Sequence, residues 1–99
     1  LEFKEPDFEK FPCLKYAYES GAAGGTLPAV MNAANEAAVL AFLDSKIRFL
    51  DIQSLIRRMM DSHNNIKNPD LSEILEADRK TKDETKRIIE EELAIKADF

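Results

Sequence analysis

Acid–base, thiol or metal chemistry has few starting points in this 99-residue chain, which holds a single histidine, His63, and a single cysteine, Cys13. A catalytic histidine needs a partner to orient it, and no partner can be placed beside His63 from the sequence. Its position near the end of a helical stretch suits the partial positive charge that a helix C-terminus favours. Cys13 lies in Phe11-Pro12-Cys13-Leu14. Among such apolar neighbours a buried structural thiol is expected, because a reactive thiolate needs an electropositive setting. One histidine and one distant cysteine do not make a ligand cluster. Gly21-Ala22-Ala23-Gly24-Gly25 precedes a helical pattern, as a phosphate cradle would. It lacks a preceding strand and a following Lys-Ser/Thr, so it matches neither the dinucleotide nor the P-loop fingerprint.

The remaining candidate is Asn32-Ala33-Ala34-Asn35-Glu36. Residues three and four apart share a helix face, so Asn32, Asn35 and Glu36 form one polar stripe on an Ala-rich helix. The stripe is solvated, or hydrogen-bonded to a nearby loop (residues 21–25 or 47–50), or part of a site in which Glu36 acts as a general base. The last reading needs a pocket of which the sequence gives no sign. The stripe is taken as structural, tying its helix to neighbouring loops. Asn32→Ala or Asn35→Ala should then cost about 1–3 kcal/mol, the penalty of an unpaired buried partner.

The elements that carry these residues read as helices, since no alternation of period two persists. A first helix over residues 7–20 places Phe8, Phe11, Leu14, Ala17 and Tyr18 at three-to-four spacing, with Pro12 tolerable in its first turn and Gly21 as its C′ residue. Gly24-Gly25 makes a turn, and Thr26 is the expected N-cap of a second helix with Pro28 early inside it. That helix runs to about Asp44 and buries Leu27, Val30, Met31, Ala34, Ala38 and Phe42. Residues 45–50 connect it onward, with Ile47 and Phe49 as apolar anchors. A third helix starts near Asp51, with Ile52, Leu55, Ile56 and Met59 as its core face. Asn64-Asn65 and Asn68-Pro69 end it. Asp70 or Ser72 caps a fourth element through Leu71, Ile74 and Leu75.

Beyond Asp78 a charged run begins, with Glu76/Lys80, Asp78/Lys82 and Asp83/Arg87 in the favourable acid-first order; it reads as a solvated helix face. Ile88, Ile89 and Leu93 then resume an apolar stripe. The fold expected is all-α, a small antiparallel bundle of about four helices with short loops.

Composition sets the outer limits. The length suits one domain, and 44% hydrophobic with 33% charged residues is a globular composition. A net charge of −5 argues against nucleic acid or an anionic membrane as partner. No apolar run is long enough to span a bilayer, and the single cysteine is consistent with a reducing compartment, which points to the cytosol. The start at Leu1-Glu2-Phe3-Lys4-Glu5-Pro6 looks like a segment cut from a longer protein.

Several blocks, taken in order, then resemble one family. They are Phe3 with Pro6-Asp7; Phe11-Pro12-Cys13-Leu14-Lys15 with Ala17-Tyr18-Glu19; and Gly24-Gly25-Thr26 with Pro28-Ala29-Val30. Asn32 to Glu36 follows with Ala38-Val39 and Ala41-Phe42-Leu43, then Ile47 with Phe49-Leu50-Asp51-Ile52, and finally Leu75-Glu76-Ala77-Asp78. Together they resemble the C-terminal helical domain of 1-deoxy-D-xylulose 5-phosphate reductoisomerase, from Phe3 to about Asp78. The resemblance implies a fragment: residues 1–10 as the end of an inter-domain linker and residues 11–99 as the C-terminal α-helical domain, its last helix extended after Asp78.

The implied parent enzyme converts 1-deoxy-D-xylulose 5-phosphate to 2-C-methyl-D-erythritol 4-phosphate with NADPH and Mg or Mn, in non-mevalonate isoprenoid synthesis. It is expected as a homodimer in the bacterial cytosol, with no nucleic acid or membrane partner. The resemblance places the catalytic, cofactor-binding and metal-binding residues in the two preceding domains, so none is assigned here. The expected partners are those domains, which this one would brace. After Asp78 the sequence departs from the family pattern, which raises the question of whether the last helix packs or projects. The competing reading is a free-standing helical module that offers an apolar groove to a partner helix.

Overall fold

In the computed structural model, residue 9 and residues 11–93 are described. Pro12 opens the first helix, α1 (Pro12–Ala23), where its missing N–H costs nothing and its fixed φ suits the first turn. Gly21 does not end this helix, contrary to the sequence expectation. Ala22 and Ala23 favour helix and carry it on to Gly24, which takes φ +65° and donates its N–H to the Ser20 carbonyl at 3.0 Å. Gly24 and Gly25 both lie in the left-handed region and turn the chain into α2 (Leu27–Leu43).

Helix α2 is the centre of the fold, packed by α1, by α3 (Phe49–Ser62) and by α4 (Leu71–Ile88). Its buried positions are Val30, Ala33, Ala34, Ala37, Ala38 and Ala41, nearly all alanine. Small side chains let neighbouring helix axes come close. The bulk of the core therefore comes from the partners: Ile52, Leu55, Ile56, Met59 and Met60 from α3, and Ile88 from α4. Leu27, Met31 and Phe42, also expected inside, pack half-buried at the edge of this cluster. Helices α2 and α3 run antiparallel. Thr26 meets Asn65 at one end of α2 and α3, while Phe42 meets Phe49 at the other.

Asp51 sits in the first turn of α3 and accepts the Arg48 N–H at 2.9 Å. Of the choices at the start of α4, Asp70 is the cap. It accepts from Glu73 N at 2.8 Å, and Glu73 Oε1 accepts from Asp70 N at 3.2 Å, a reciprocal capping box.

Helix α4 does not project. Ala77, Thr81, Thr85 and Ile88 are buried, and the helix continues as a π-helical turn, Ile89–Leu93, that brings Ile89 into the core as well. Thr85 is fully buried without a polar penalty because its hydroxyl donates to the Thr81 carbonyl at 2.7 Å. The outer face holds the charges. Glu76 and Lys80 approach to 4.0 Å and Asp78 and Lys82 to 3.1 Å, as expected, but Asp83 pairs with Arg79 and not with Arg87. Arg87 bonds Glu84 and Glu91.

Three apolar expectations fail. On α1, Phe11, Leu14 and Tyr18 point outward, and the inward residues are Cys13, Tyr16 and Ser20. Phe8 lies outside the described residues, as does most of the expected linker. Phe49 is 68% exposed and meets the Phe42 ring edge-on at 5.5 Å; Ile47 is the buried anchor of that connection. Leu71 and Leu75 are exposed, leaving the first turns of α4 apolar on their outer side.

Candidate functional site

The densest arrangement of polar groups joins the turn before α2 to the segment after α3. Thr26 is fully buried, although the sequence marks it as a helix cap. Its side chain makes no cap bond within α2. Asn65 caps the helix instead, from across the fold. Its Oδ1 accepts from Thr26 N at 2.9 Å and Leu27 N at 3.0 Å, two of the donors a helix N-terminus leaves over. Asn65 Nδ2 donates to the Gly24 carbonyl at 3.1 Å, and Thr26 N also reaches the Ile66 carbonyl at 3.1 Å. Ile66 N donates to Thr26 Oγ1 at 3.1 Å.

This closeness needs glycine at position 25. A Cβ there would stand 2.3 Å from the Ile66 carbonyl oxygen, and φ is already +63°.

His63, the C-cap of α3, completes the knot with Nε2 at 2.6 Å from Thr26 Oγ1. The hydroxyl has one proton. It donates either to His63 Nε2 or to Asn65 Oδ1, at 3.2 Å, and in the second case the imidazole donates to it. Burial pushes the His63 pKa below its ordinary value. Burial thus disfavours the dipole-complementing charge expected at the end of α3, and the imidazole serves there as a fastener.

Asn32 and Glu36 are exposed and Asn35 is half-buried. Among the described residues neither asparagine hydrogen-bonds to residues 21–25 or 47–50, so the expected loop tether is absent there. Glu36 instead pairs with Lys82 of α4 at 3.2 Å, and Lys82 pairs with Asp78. Hydrogen bonds from Asp78 and then Glu36 hold the Lys82 ammonium above its usual pKa. A second clasp joins α1 to α3: Arg57 bonds Glu19 at 2.5 Å and Asp61 at 2.6 Å and lies over the Tyr16 ring at 5.0 Å. Glu19, then Asp61, raises the Arg57 pKa. Cys13 is half-buried, and burial raises its thiol pKa, which disfavours the thiolate.

A cavity of about 470 Å³ lies between His63, Asn64 and Ile66 on one side and Ser72, Ala77 and Thr81 of α4 on the other. Its acids are engaged, Glu73 in the capping box and Glu76 with Arg79. Among the described residues no group of three His, Cys, Asp or Glu side chains is placed to hold a metal ion. No helix among them is long and apolar enough to cross a membrane. The site is a fastening: polar bonds between residues distant in sequence hold one end of α2 to the end of α3.

From spacing and turn chemistry, Gly24-Gly25 reads as a turn, Thr26 as a local N-cap and Asn64-Asn65 as a helix end. No periodicity links positions 39 apart, so nothing local joins them.

The model of the DXP reductoisomerase C-terminal domain family matches residues 1–84. A 1-deoxy-D-xylulose 5-phosphate reductoisomerase 1 of Bacillus thuringiensis subsp. konkukian is 56% identical over 79 residues, which are 80% of this chain and 20% of that protein. The reductoisomerase of a Synechococcus strain is 50% identical over 91 residues, 92% of this chain and 23% of its own length. Among solved structures, the Zymomonas mobilis 1-deoxy-D-xylulose 5-phosphate reductoisomerase in complex with NADPH superposes with a TM-score of 0.80 at 41% identity. It covers 91% of this chain and 24% of that one. The chain thus spans about a fifth to a quarter of the length of the relatives it matches.

Proposed function

This chain belongs to the DXP reductoisomerase C-terminal domain family, and from that premise we propose that it is the helical end domain of an NADPH-dependent reductoisomerase. The parent enzyme would convert 1-deoxy-D-xylulose 5-phosphate to 2-C-methyl-D-erythritol 4-phosphate in non-mevalonate isoprenoid synthesis. The carrying observation is the family match over residues 1–84, supported by the fold shared with the Zymomonas mobilis structure at 41% identity. Residues 1–10 are read as the end of a linker and residues 11–99 as the domain.

Catalysis, NADPH and a divalent Mg or Mn ion are assigned to the rest of the parent chain. Among the described residues no three His, Cys, Asp or Glu side chains are grouped to hold that ion. This domain contributes rigidity. The Thr26–Asn65–His63 knot and the Arg57 clasp fix the helices so that their outer faces can brace the other two domains. The polar stripe is part of that framework, with Glu36 joining α2 to α4 through Lys82. The parent is read as a homodimer in the bacterial cytosol, without nucleic acid or membrane partners.

The test is the full-length gene product. It should oxidise NADPH when given 1-deoxy-D-xylulose 5-phosphate and a divalent metal. A reading frame that starts at this domain, or a long product inert with that substrate, would favour a free-standing interaction module.

A further inference from the structure

Helix α1 is apolar on two faces, which a surface helix with only water outside does not need. Cys13, Tyr16 and Ser20 turn inward. On the other side Leu14 is 39% exposed, and Ala17, Tyr18, Gly21 and Ala22 line a shallow depression of about 420 Å³. A Cβ added at Gly21 would meet nothing within 4 Å, so the backbone itself is open to close approach there. Other exposed apolar side chains, such as Leu43 and Phe49 or Leu71 and Leu75, lie at the ends of the later helices.

The position of α1 says what covers it. The family is that of a C-terminal domain, and the matched region is 20–24% of its relatives, so the bulk of those chains comes before this region. Among the described residues α1 is the first helix, and so of the described helices the nearest in the chain to that bulk. Covalent connection raises the effective concentration of a preceding domain at this surface, which favours even a modest apolar contact.

We propose that the outward face of α1, built on Leu14, Ala17, Gly21 and Ala22, is the seat of the domain that precedes this one in the same polypeptide. The proposal rests on the reading that this chain is the end domain of a reductoisomerase.

The test uses the full-length protein with single cysteines introduced by Ala17→Cys and, separately, Ala22→Cys. Ser54→Cys on α3 and Lys86→Cys on α4, both exposed positions, serve as references. Labelling by a polar maleimide is followed by mass spectrometry. Labelling at 17 and 22 should be slower than at the references by roughly tenfold or more, at every protein concentration, because thiol modification follows exposure. Rates equal to the references would overturn the proposal. Protection that grows with protein concentration would also overturn it, since the occupant would then be a second copy. Turnover of NADPH in the same preparations separates the two readings. Active enzyme with fast labelling refutes only the docking face, whereas protein inert with NADPH and substrate refutes the parent reading itself.

Discussion

Replacing Asn65 by alanine tests whether the knot at the start of α2 holds the fold together. The substitution removes the bonds that Oδ1 accepts from Thr26 N and Leu27 N, the bond donated to the Gly24 carbonyl, and the Thr26 Oγ1–Oδ1 contact, a hydrogen bond when the hydroxyl turns to Asn65. The bonds to Leu27 and Gly24 are exposed, and water replaces them at little cost. The two to Thr26 are shielded, because Thr26 is fully buried. Thr26 N keeps the Ile66 carbonyl and the hydroxyl keeps His63, so neither group is orphaned. The loss is then about 1 kcal/mol for each shielded bond, roughly 2 kcal/mol in all when the hydroxyl is turned to Asn65. For a domain of this size that is on the order of 10 °C in Tm.

Urea unfolding followed by circular dichroism should show a lower midpoint with an unchanged slope. Asn64→Ala, next door and exposed, should stay within about 0.5 kcal/mol of the parent sequence. Asn65→Asp keeps the acceptor and places a negative charge at the start of α2, so it should lose less than Asn65→Ala. Equal midpoints for Asn65→Ala and Asn64→Ala would refute the fastening role.

Glycine substitutions should split by position. Gly25→Ala, with its Cβ 2.3 Å from the Ile66 oxygen and φ +63°, should destabilise by more than about 1 kcal/mol, whereas Gly21→Ala, open and inside α1, should stabilise by about 0.5–1 kcal/mol in the same urea assay. His63 has a lowered folded pKa, so the unfolded chain binds the extra proton first. Stability is full above the ordinary value of 6.5 and falls as pH drops below it towards the folded pKa. Urea midpoints at successive pH values should show this slope in the parent sequence and lose it in His63→Gln. Asn32→Ala, expected from the sequence to cost a buried partner, should change stability by less than about 0.5 kcal/mol because the side chain is exposed. Leu55→Ala, at a site 2% exposed, should cost about 2–5 kcal/mol by thermal unfolding.

The helices with one apolar face were legible in the sequence. Ile52, Leu55, Ile56 and Met59 sit at helical spacing and all are buried, while the exposed large apolar groups of α3, Phe49 and Leu50, are confined to its first turn. Helix α1 misled because both its faces are apolar, and periodicity cannot choose between them. The run after Asp78 hid its core face for a different reason. Ala77, Thr81 and Thr85 lie at four-residue spacing, but threonine reads as polar until its hydroxyl is seen bonded to its own helix. The knot was illegible because it depends on a contact between distant segments. Each half had an adequate local explanation, a glycine turn before Thr26 and an asparagine break at Asn65. The family resemblance was legible from the order of its blocks, and it extends past Asp78, to residue 84.

Calorimetric titration of the 99-residue chain with NADPH, with and without Mg²⁺, tests the central claim most directly. If this is a bracing domain whose parent keeps cofactor and chemistry elsewhere, no saturable heat is released at cofactor concentrations that saturate the full-length enzyme. Saturable one-to-one binding of NADPH by this chain would contradict that claim.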